Sequence, residues 1–253
     1  TAMKTVICTT VGAAVFATLA IAPAQADDHM TAQPVELYAC TFRDGKGMKD
    51  LEKANANFKK WAADNTSGHS AWMITPQFRS MDTEFHVGWI GAYQTAEDFG
   101  ASTDKWVNAS GSVSQAYYDA VECSHAMMSS YATGGQEGAP GDGVVWFSRC
   151  SLEDDASVAD AAAGHARVAD IMEGMGAGGS SWIFVPGLGS GDAEFDYYHV
   201  AAWPSYPAFA KAWEAYVNGG GMAKAMELHE GVSNCKSPNM YDAQLILAAP
   251  AAE

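Results

Sequence analysis

The sequence predicts an α+β fold made of two copies of one βαββαβ domain, packed sheet to sheet. The chain repeats itself under a shift of 110 residues, each copy alternates strand-like and helix-like stretches, and the cysteines occupy equivalent positions. The equivalent pairs include Cys40 with Cys150, Trp72 with Trp182, Pro76 with Pro186 and Phe99 with Phe209. A repeat of this length fixes the domain organisation before single elements are assigned.

The first copy spans residues 35–132. A β-rich segment over Val35–Phe42 precedes a helix over Lys46–Asn65, because Leu51, Ala54 and Phe58 recur at helical spacing. Further strands are predicted over Ser70–Phe78, Glu84–Tyr93 and Ala126–Tyr131, with a second helix from Thr95 and a short one over Val113–Val121.

The second copy spans residues 144–247 and repeats this order. Strands are predicted over Val144–Leu152, Ser181–Leu188, Glu194–Trp203 and Met240–Leu247, and helices over Asp155–Glu173, from Ser205 and over Ala223–His229. Ser205 followed by Pro207 is typical of an N-cap with proline near the first helical position. Residues 133–143, rich in glycine, predict a linker between the copies.

The first 26 residues predict a secretory signal peptide. Lys4 gives a short positive start, residues 6–22 are apolar and small, and Ala24-Gln25-Ala26 matches a cleavage site. We therefore expect a periplasmic or secreted protein. No later stretch is apolar enough to span a bilayer, so we expect no membrane association after cleavage.

The chain is acidic, with 30 Asp and Glu against 14 Lys and Arg and a formal net charge of −16. A phosphate backbone would be repelled, so nucleic acid is not an expected partner. We interpret the acid excess as a source of solubility, in preference to cation binding.

The four cysteines outside the signal segment predict two disulfides. Four cysteines allow three pairings in an exported chain. Repeat equivalence favours Cys40–Cys123 and Cys150–Cys235, which also joins the late part of strand one to the residues just before strand four. Metal binding by the thiols is disfavoured because no C-x-x-C spacing occurs.

A βαββαβ unit is a ferredoxin-like sandwich with one bare sheet face, which must be buried. Two such units in tandem, with aromatic strands such as residues 84–89, resemble the dimeric α+β barrel superfamily, which includes the antibiotic-biosynthesis monooxygenase-like proteins. The resemblance covers residues 35–247 and implies a ligand cleft between each sheet and its helices. It also implies that members either oxidise substrates without a cofactor or use haem bound by a histidine on a late helix.

The candidate ligand-binding residues lie on the first helix and third strand of each copy. Asn55 and His165 are equivalent under the shift and share the apolar stripe of helix one, which faces the cleft. Because Asn55 does not titrate, we expect the second copy to hold the functional cleft, with His165 as its main polar group. The remaining candidates are His86, Tyr198 and His199; strand alternation places Tyr198 and His199 on opposite faces and leaves open which of them lines the cleft.

The first functional hypothesis is an exported protein that binds a small apolar or aromatic molecule in this cleft. The alternatives are a cofactor-free or haem-dependent monooxygenase-like oxidoreductase and a structural protein without a ligand. We expect no metal and no cofactor. The resemblance keeps haem open, with His229 as the axial candidate, and flanking acids favour a solvated face for that residue. The oligomeric state stays open.

Overall fold

The computed structural model describes residues 30–81, 84–135 and 139–249. The predicted signal peptide and residues 136–138 of the predicted linker lie outside these ranges. The elements of the first half, in chain order, are β1 (Gln33–Phe42), α1 (Met48–Asn65), β2 (His69–Phe78), β3 (Val87–Tyr93), α2 (Ala96–Ala109), α3 (Ser112–Ala120) and β4 (Val121–Gly134).

The second half follows the same order, with its last strand divided. Its elements are β5 (Gly143–Leu152), α4 (Val158–Gly174), β6 (Ser180–Pro186), β7 (Tyr197–Trp203), α5 (Tyr206–Val217), α6 (Gly221–His229), β8 (Ser233–Cys235) and β9 (Asn239–Leu247). Several boundaries differ from the predictions by two residues or more, and three of them bear on the site residues or the cysteines. The strand expected from Glu84 begins at Val87, the strand expected from Glu194 begins at Tyr197, and β4 begins at Val121, so that Cys123 lies within it.

The strands form one closed barrel. The order is β7-β6-β4-β1-β3-β2-β9-β5, and β5 pairs again with β7, which closes the ring; β8 pairs with the far end of β5. Each half contributes a four-strand antiparallel sheet with the order expected of a ferredoxin-like unit. The two sheets join edge to edge, through β4 with β6 and β2 with β9.

The inner face of the barrel is an apolar core supplied by both halves. Its buried residues are Val35, Ile74, Ile90, Met128, Val145, Phe184, Val200 and Tyr241. Closure buries the face that each sheet would otherwise leave bare, and it also removes the exposed strand edges. The expected packing of sheet face against sheet face therefore takes the form of a barrel interior.

The helices cover the outer face of the barrel, in one group per half. In the first half, Leu51, Phe58 and Ala62 of α1 are buried against the outer positions of β1 to β3. In the second half, Ala161 and Ala162 of α4 pack on Ile183 and Tyr197. Among the described residues, no helix combines the length and apolar character needed to cross a membrane.

The four cysteines pair as the repeat predicts. Cys40 and Cys123 are register partners on β1 and β4, and their sulfur atoms lie 2.02 Å apart. Cys150 and Cys235 are partners on β5 and β8, with sulfur atoms 2.00 Å apart. Each bridge ties the first strand of one half to the last segment of the same half.

Candidate functional site

A cavity lies between the helices and the outer barrel face in each half. The second-half cavity has a volume of about 960 Å³ and the first-half cavity about 510 Å³. Both volumes fall in the range of small-molecule sites, which is roughly 300–1,000 Å³. The two cavities differ in the polar groups that line them.

Three histidines from three elements meet in the second-half cavity. His165 comes from the buried stripe of α4, His199 from the outward-facing positions of β7, and His229 from the last turn of α6. The rings of His165 and His199 stack with centroids 4.0 Å apart, and those of His165 and His229 lie 4.3 Å apart. The apolar walls are mainly aromatic and include Trp146, Trp203, Phe209 and Trp213.

A hydrogen-bond chain holds the histidines in place. His165 Nε2 lies 3.1 Å from the Tyr197 hydroxyl, which donates to Ser233 Oγ at 2.9 Å. Ser233 Oγ in turn lies 3.0 Å from His229 Nδ1. His199 Nε2 lies 3.2 Å from Ser181 Oγ on the other side of the stack. One ring nitrogen of each histidine is therefore fixed by a hydroxyl group.

Three buried polar atoms of this cavity have no hydrogen-bond partner among the described residues: His229 Nε2, Trp146 Nε1 and Trp203 Nε1. Buried polar groups in folded proteins are nearly always satisfied, so a cluster of exceptions in one cavity indicates a missing partner. A Cβ on Gly164 would stand 3.0 Å from His229 Cε1, and one on Gly179 would stand 2.5 Å from Trp203 Nε1. Both rings therefore occupy space that only glycine leaves free.

The cavity keeps its histidines neutral. Burial lowers the pKa of His165 well below its ordinary value, and the neighbouring His199 and His229 lower it further. Burial also lowers the pKa of His199 to about 3, and it lowers the pKa of His229. A neutral imidazole can accept a proton or bind a metal through its free nitrogen.

The three histidines do not form a site for a single free metal ion. Within the described ranges, the one group of three close ligand atoms is His165 with Cys150 and Cys235, whose sulfurs form a disulfide. Disulfide sulfur is not a thiolate ligand. In the second-half cavity a metal is therefore offered one histidine ligand, and not a set of three.

The first-half cavity is built around a buried carboxylate. Glu36 of β1 is 8% exposed and accepts hydrogen bonds from Tyr93 at 2.7 Å and Tyr38 at 3.2 Å. His125 Nε2 of β4 lies 2.9 Å from Glu36 Oε1. Burial raises the pKa of Glu36, but the hydrogen bonds from His125 and Tyr93 outweigh burial, and the net pKa lies below its usual value. The carboxylate is therefore ionised at neutral pH.

Of the five predicted ligand-binding residues, the structure places two in a cavity and three outside both cavities. His165 and His199 line the second-half cavity together. Tyr198 points into the barrel, where its ring packs 5.7 Å from that of Phe147, because the inner face of β7 is the apolar one. The open choice between the two strand faces is thus resolved in favour of His199, and Tyr198 does not line the cleft.

Asn55 and His86 are not cavity residues either. Asn55 is buried, but it accepts a hydrogen bond from Tyr117 at 2.8 Å and contacts Met73 Sδ, and it is absent from the described lining of both cavities. His86 precedes β3, is exposed, and accepts a hydrogen bond from the backbone N–H of Phe42 at 3.1 Å. The predicted strand that included His86 was wrong by three residues, because β3 begins at Val87.

Sequence reasoning missed the polar groups of the first-half cavity, namely Glu36, Tyr38, His69, Tyr93 and His125. Glu36 carries a signal that could have been used, since strand alternation places it on the same helix-facing side of β1 as Tyr38 and Cys40. His69 and His125 had no partner visible along the chain, because the sheet register alone brings them to Glu36.

Acid should destabilise the fold through its buried histidines. The pKa of His199 falls to about 3 and that of His69 to about 4 on burial, so the unfolded chain binds protons near pH 6.5 that the folded chain does not. The contribution of these two histidines to the unfolding free energy is fully present above pH 6.5. It declines as the pH falls towards the pKa values that the histidines have in the folded chain. His199→Phe should reduce the loss of unfolding free energy between pH 7 and 5 by about 1–2 kcal/mol, measured by urea denaturation.

The matched control is His86→Phe, which changes an exposed histidine in the same way. An equal pH slope for wild type and His199→Phe would contradict the burial argument.

Comparison of the sequence with protein-family models and with curated proteins gives no match. Solved structures do match in fold. A candidate monooxygenase from Fusobacterium nucleatum has a TM-score of 0.54 at 9% identity, with 88% of this chain and 96% of that chain covered. A candidate chlorite dismutase gives 0.53 at 11% identity, covering 85% and 95%. A dye-decolorizing peroxidase from Bacteroides thetaiotaomicron gives 0.50 at 10% identity, covering 85% and 94%.

These similarities place the chain in the ferredoxin-like α+β barrel fold. They also overturn the expectation that no cofactor is involved. Dye-decolorizing peroxidases and chlorite dismutases are haem-dependent, so neighbours of this fold conflict with a prediction of no cofactor. These neighbours are named as a monooxygenase, a chlorite dismutase and a peroxidase, and at 9–11% identity the likeness shows the fold alone.

Proposed function

We propose that the protein is an exported, haem-dependent oxidoreductase whose second-half cavity would hold the haem, with His229 as the residue that would bind its iron. The observation that carries the proposal is the free nitrogen of His229. His229 lines the cavity, and its Nε2 atom is buried and lacks a hydrogen-bond partner in the described part of the chain.

The surroundings of His229 fit the requirements of a ligand histidine. Metal-bound histidines generally donate their other ring N–H to an acceptor that fixes the tautomer. Ser233 Oγ, 3.0 Å from His229 Nδ1, is such an acceptor. Ligation through Nε2 requires the proton on Nδ1 and a neutral ring, and burial lowers the pKa of His229 accordingly. Gly164 supplies the space that the ring occupies.

The rest of the cavity suits a large, flat and mainly apolar group. Its volume of about 960 Å³ is bounded by indole, phenyl and methionine side chains, among them Trp146, Trp203 and Met172. The unsatisfied indole N–H groups of Trp146 and Trp203 can donate to polar substituents of such a group.

When bound, haem supplies one-electron and oxygen-transfer chemistry. The side chains of this protein bind and orient it and exclude water. Tyr197 and Ser233 link His165 to His229 through hydrogen bonds of 2.9–3.1 Å. A change in the hydrogen bonding of one imidazole is therefore transmitted to the other through this chain. Burial keeps His165 and His199 neutral, so they add no positive charge beside the bound group.

Export and a tandem origin of the two halves complete the proposal. The N-terminal segment motivates export, and two disulfides support it, because disulfides persist in oxidising compartments. The aligned residues at a shift of 110 and the shared order of elements support duplication of one ancestral unit.

Titration of the purified protein with haemin tests the proposal. We expect a Soret band that saturates at one haemin per chain, and peroxide-dependent oxidation of an aromatic dye by the loaded protein. Absence of a saturable Soret band would contradict the proposal. A band without dye oxidation would retain haem binding and contradict the proposed oxidoreductase activity.

A further inference from the structure

We infer that the first-half cavity is a second, independent binding site, and that it takes a small organic ammonium ion with an aromatic or alkyl tail. Its elements are a buried carboxylate, an unpartnered buried histidine and a wall of aromatic rings. None of these groups takes part in the proposed haem site.

The carboxylate of Glu36 is the anionic group of this site. Two ring stacks flank it. Tyr38 stacks on His125 with centroids 3.9 Å apart, and Tyr93 stacks on His69 at 4.3 Å. The two tyrosines donate hydrogen bonds to opposite carboxylate oxygens, at 3.2 and 2.7 Å. An ionised carboxylate has about four acceptor positions, so Glu36 can still accept from a ligand.

His69 is the group that points to a missing ligand. It is 5% exposed and lines the cavity, and in the described chain neither of its ring nitrogens has a hydrogen-bond partner. A fully unsatisfied buried imidazole is destabilising unless something in the cavity pairs with it. Burial lowers its pKa to about 4, so the ring is neutral and offers one acceptor nitrogen to an N–H donor.

Gly91 lets these two groups approach the same point of β3. A Cβ on Gly91 would stand 3.1 Å from His69 Nε2 and 3.3 Å from Glu36 Oε2. Gly91 is the register partner of Glu36 on β3. Because glycine allows both groups to lie close to this backbone position, one donor group of a ligand can reach the carboxylate and the imidazole together.

The walls of the cavity favour a cation. Phe58, Trp61, Trp89, Trp106 and Tyr117 line it, and Phe58 meets the other four at centroid distances of 5.3–6.4 Å. Aromatic faces attract ammonium groups, most strongly when desolvated, and aromatic cages recognise alkylated ammonium ligands. Arg43, at the rim, is occupied by Glu122 at 3.6 Å and by the carbonyl oxygen of Tyr118, so it does not offer a free site for an anion.

The second half lacks this chemistry. The residues that stand 110 positions after Glu36, His69 and Tyr93 are Trp146, Gly179 and Trp203. The anionic group, the unpartnered imidazole and the phenol are thus replaced by two indoles and a glycine. The two cavities therefore present different polar groups to a ligand, and the first half has binding chemistry of its own.

Benzylamine, which is protonated at neutral pH, is the probe that tests this inference, and benzyl alcohol is its neutral analogue of the same shape. Binding is followed by tryptophan fluorescence of the full chain, because Trp61, Trp89 and Trp106 line the cavity. We expect benzylamine to bind at least tenfold more tightly than benzyl alcohol. Glu36→Gln should remove this preference, and the exposed Glu194→Gln is the matched control that should retain it.

Equal binding of the two probes by the wild-type chain, or no binding of either, would overturn the inference without any variant. If Glu36→Gln fails to fold, His69→Phe provides the second test, with an expected loss of benzylamine affinity. Haemin binding by these first-half variants should be unchanged. Loss of haemin binding would refute the independence of the two cavities.

Discussion

Replacing His229 with alanine is expected to abolish stoichiometric haemin binding and with it the Soret band. The Nε2 atom of His229 is the one histidine nitrogen in the described second-half cavity that is both buried and unsatisfied. Loss of a partner that merely orients a ligand histidine weakens metal binding by roughly 10–100-fold, so loss of the ligand itself should exceed about 100-fold. Haemin titration followed by absorbance measures the effect.

Two further variants and one rescue experiment define the specificity of that result. Ser233→Ala keeps the ligand and removes the acceptor on Nδ1, so it should weaken haemin binding by about 10–100-fold. His86→Ala removes an exposed histidine outside both cavities and should bind haemin like the wild type. Imidazole added to His229→Ala should restore part of the Soret band, because the substitution leaves space for it.

The variant His165→Ala tests whether His165 or His229 is the residue that binds haemin. If His165→Ala loses haemin and His229→Ala retains it, the ligand is the helix-one histidine that the repeat singled out, and the proposal for His229 is wrong. If both variants retain haemin, neither histidine is the ligand. The hydrogen bond from His165 to Tyr197 predicts a smaller effect of His165→Ala than of His229→Ala.

The sequence predicts the fold well because the fold depends on patterns that repeat. Strand alternation and helix stripes appear twice, and the register of Cys40 with Cys123 follows from the order of strands in a βαββαβ unit. The boundaries at Glu84 and Glu194 were wrong because Phe85 and Phe195 resemble strand residues, although both stand in the connections before β3 and β7. Phe85 stacks on Tyr241 at 5.8 Å and Phe195 packs on Tyr198 at 4.4 Å. Tertiary contacts therefore account for these aromatics.

The sites were harder to predict because they depend on which groups remain unpaired. His165 was found from its position on an apolar stripe, and it does lie in a cavity. His229 was a candidate through the resemblance alone, and its acidic neighbours along α6 favoured a solvated face, whereas its ring turns towards Gly164. Glu36 was missed since a charged residue in a strand ordinarily faces water, and only the pairing of β1 with β3 and β4, and of β3 with β2, brings Tyr93, His125 and His69 around it.

Removing either disulfide should lower the unfolding free energy by about 4 kcal/mol, by the chain-entropy estimate for loops of this size. The sequence separations of 83 and 85 residues are nearly equal, so Cys40→Ala/Cys123→Ala and Cys150→Ala/Cys235→Ala should be destabilised to a similar extent. Urea denaturation of the two double variants and the oxidised wild type measures the difference. A loss below about 1 kcal/mol in both variants would contradict a stabilising role for the bridges.

The two double variants should nevertheless differ in what they bind. Cys40 and Cys123 line the first-half cavity, and Cys235 lines the second, where its sulfur lies close to a ring nitrogen of His165. Each bridge thus fixes the strand end that bounds one cavity. Loss of Cys150–Cys235 should weaken haemin binding and spare benzylamine, and loss of Cys40–Cys123 should do the reverse. Equal weakening of both ligands in both variants would indicate that the barrel responds as a single unit, and that the cavities are not separately supported.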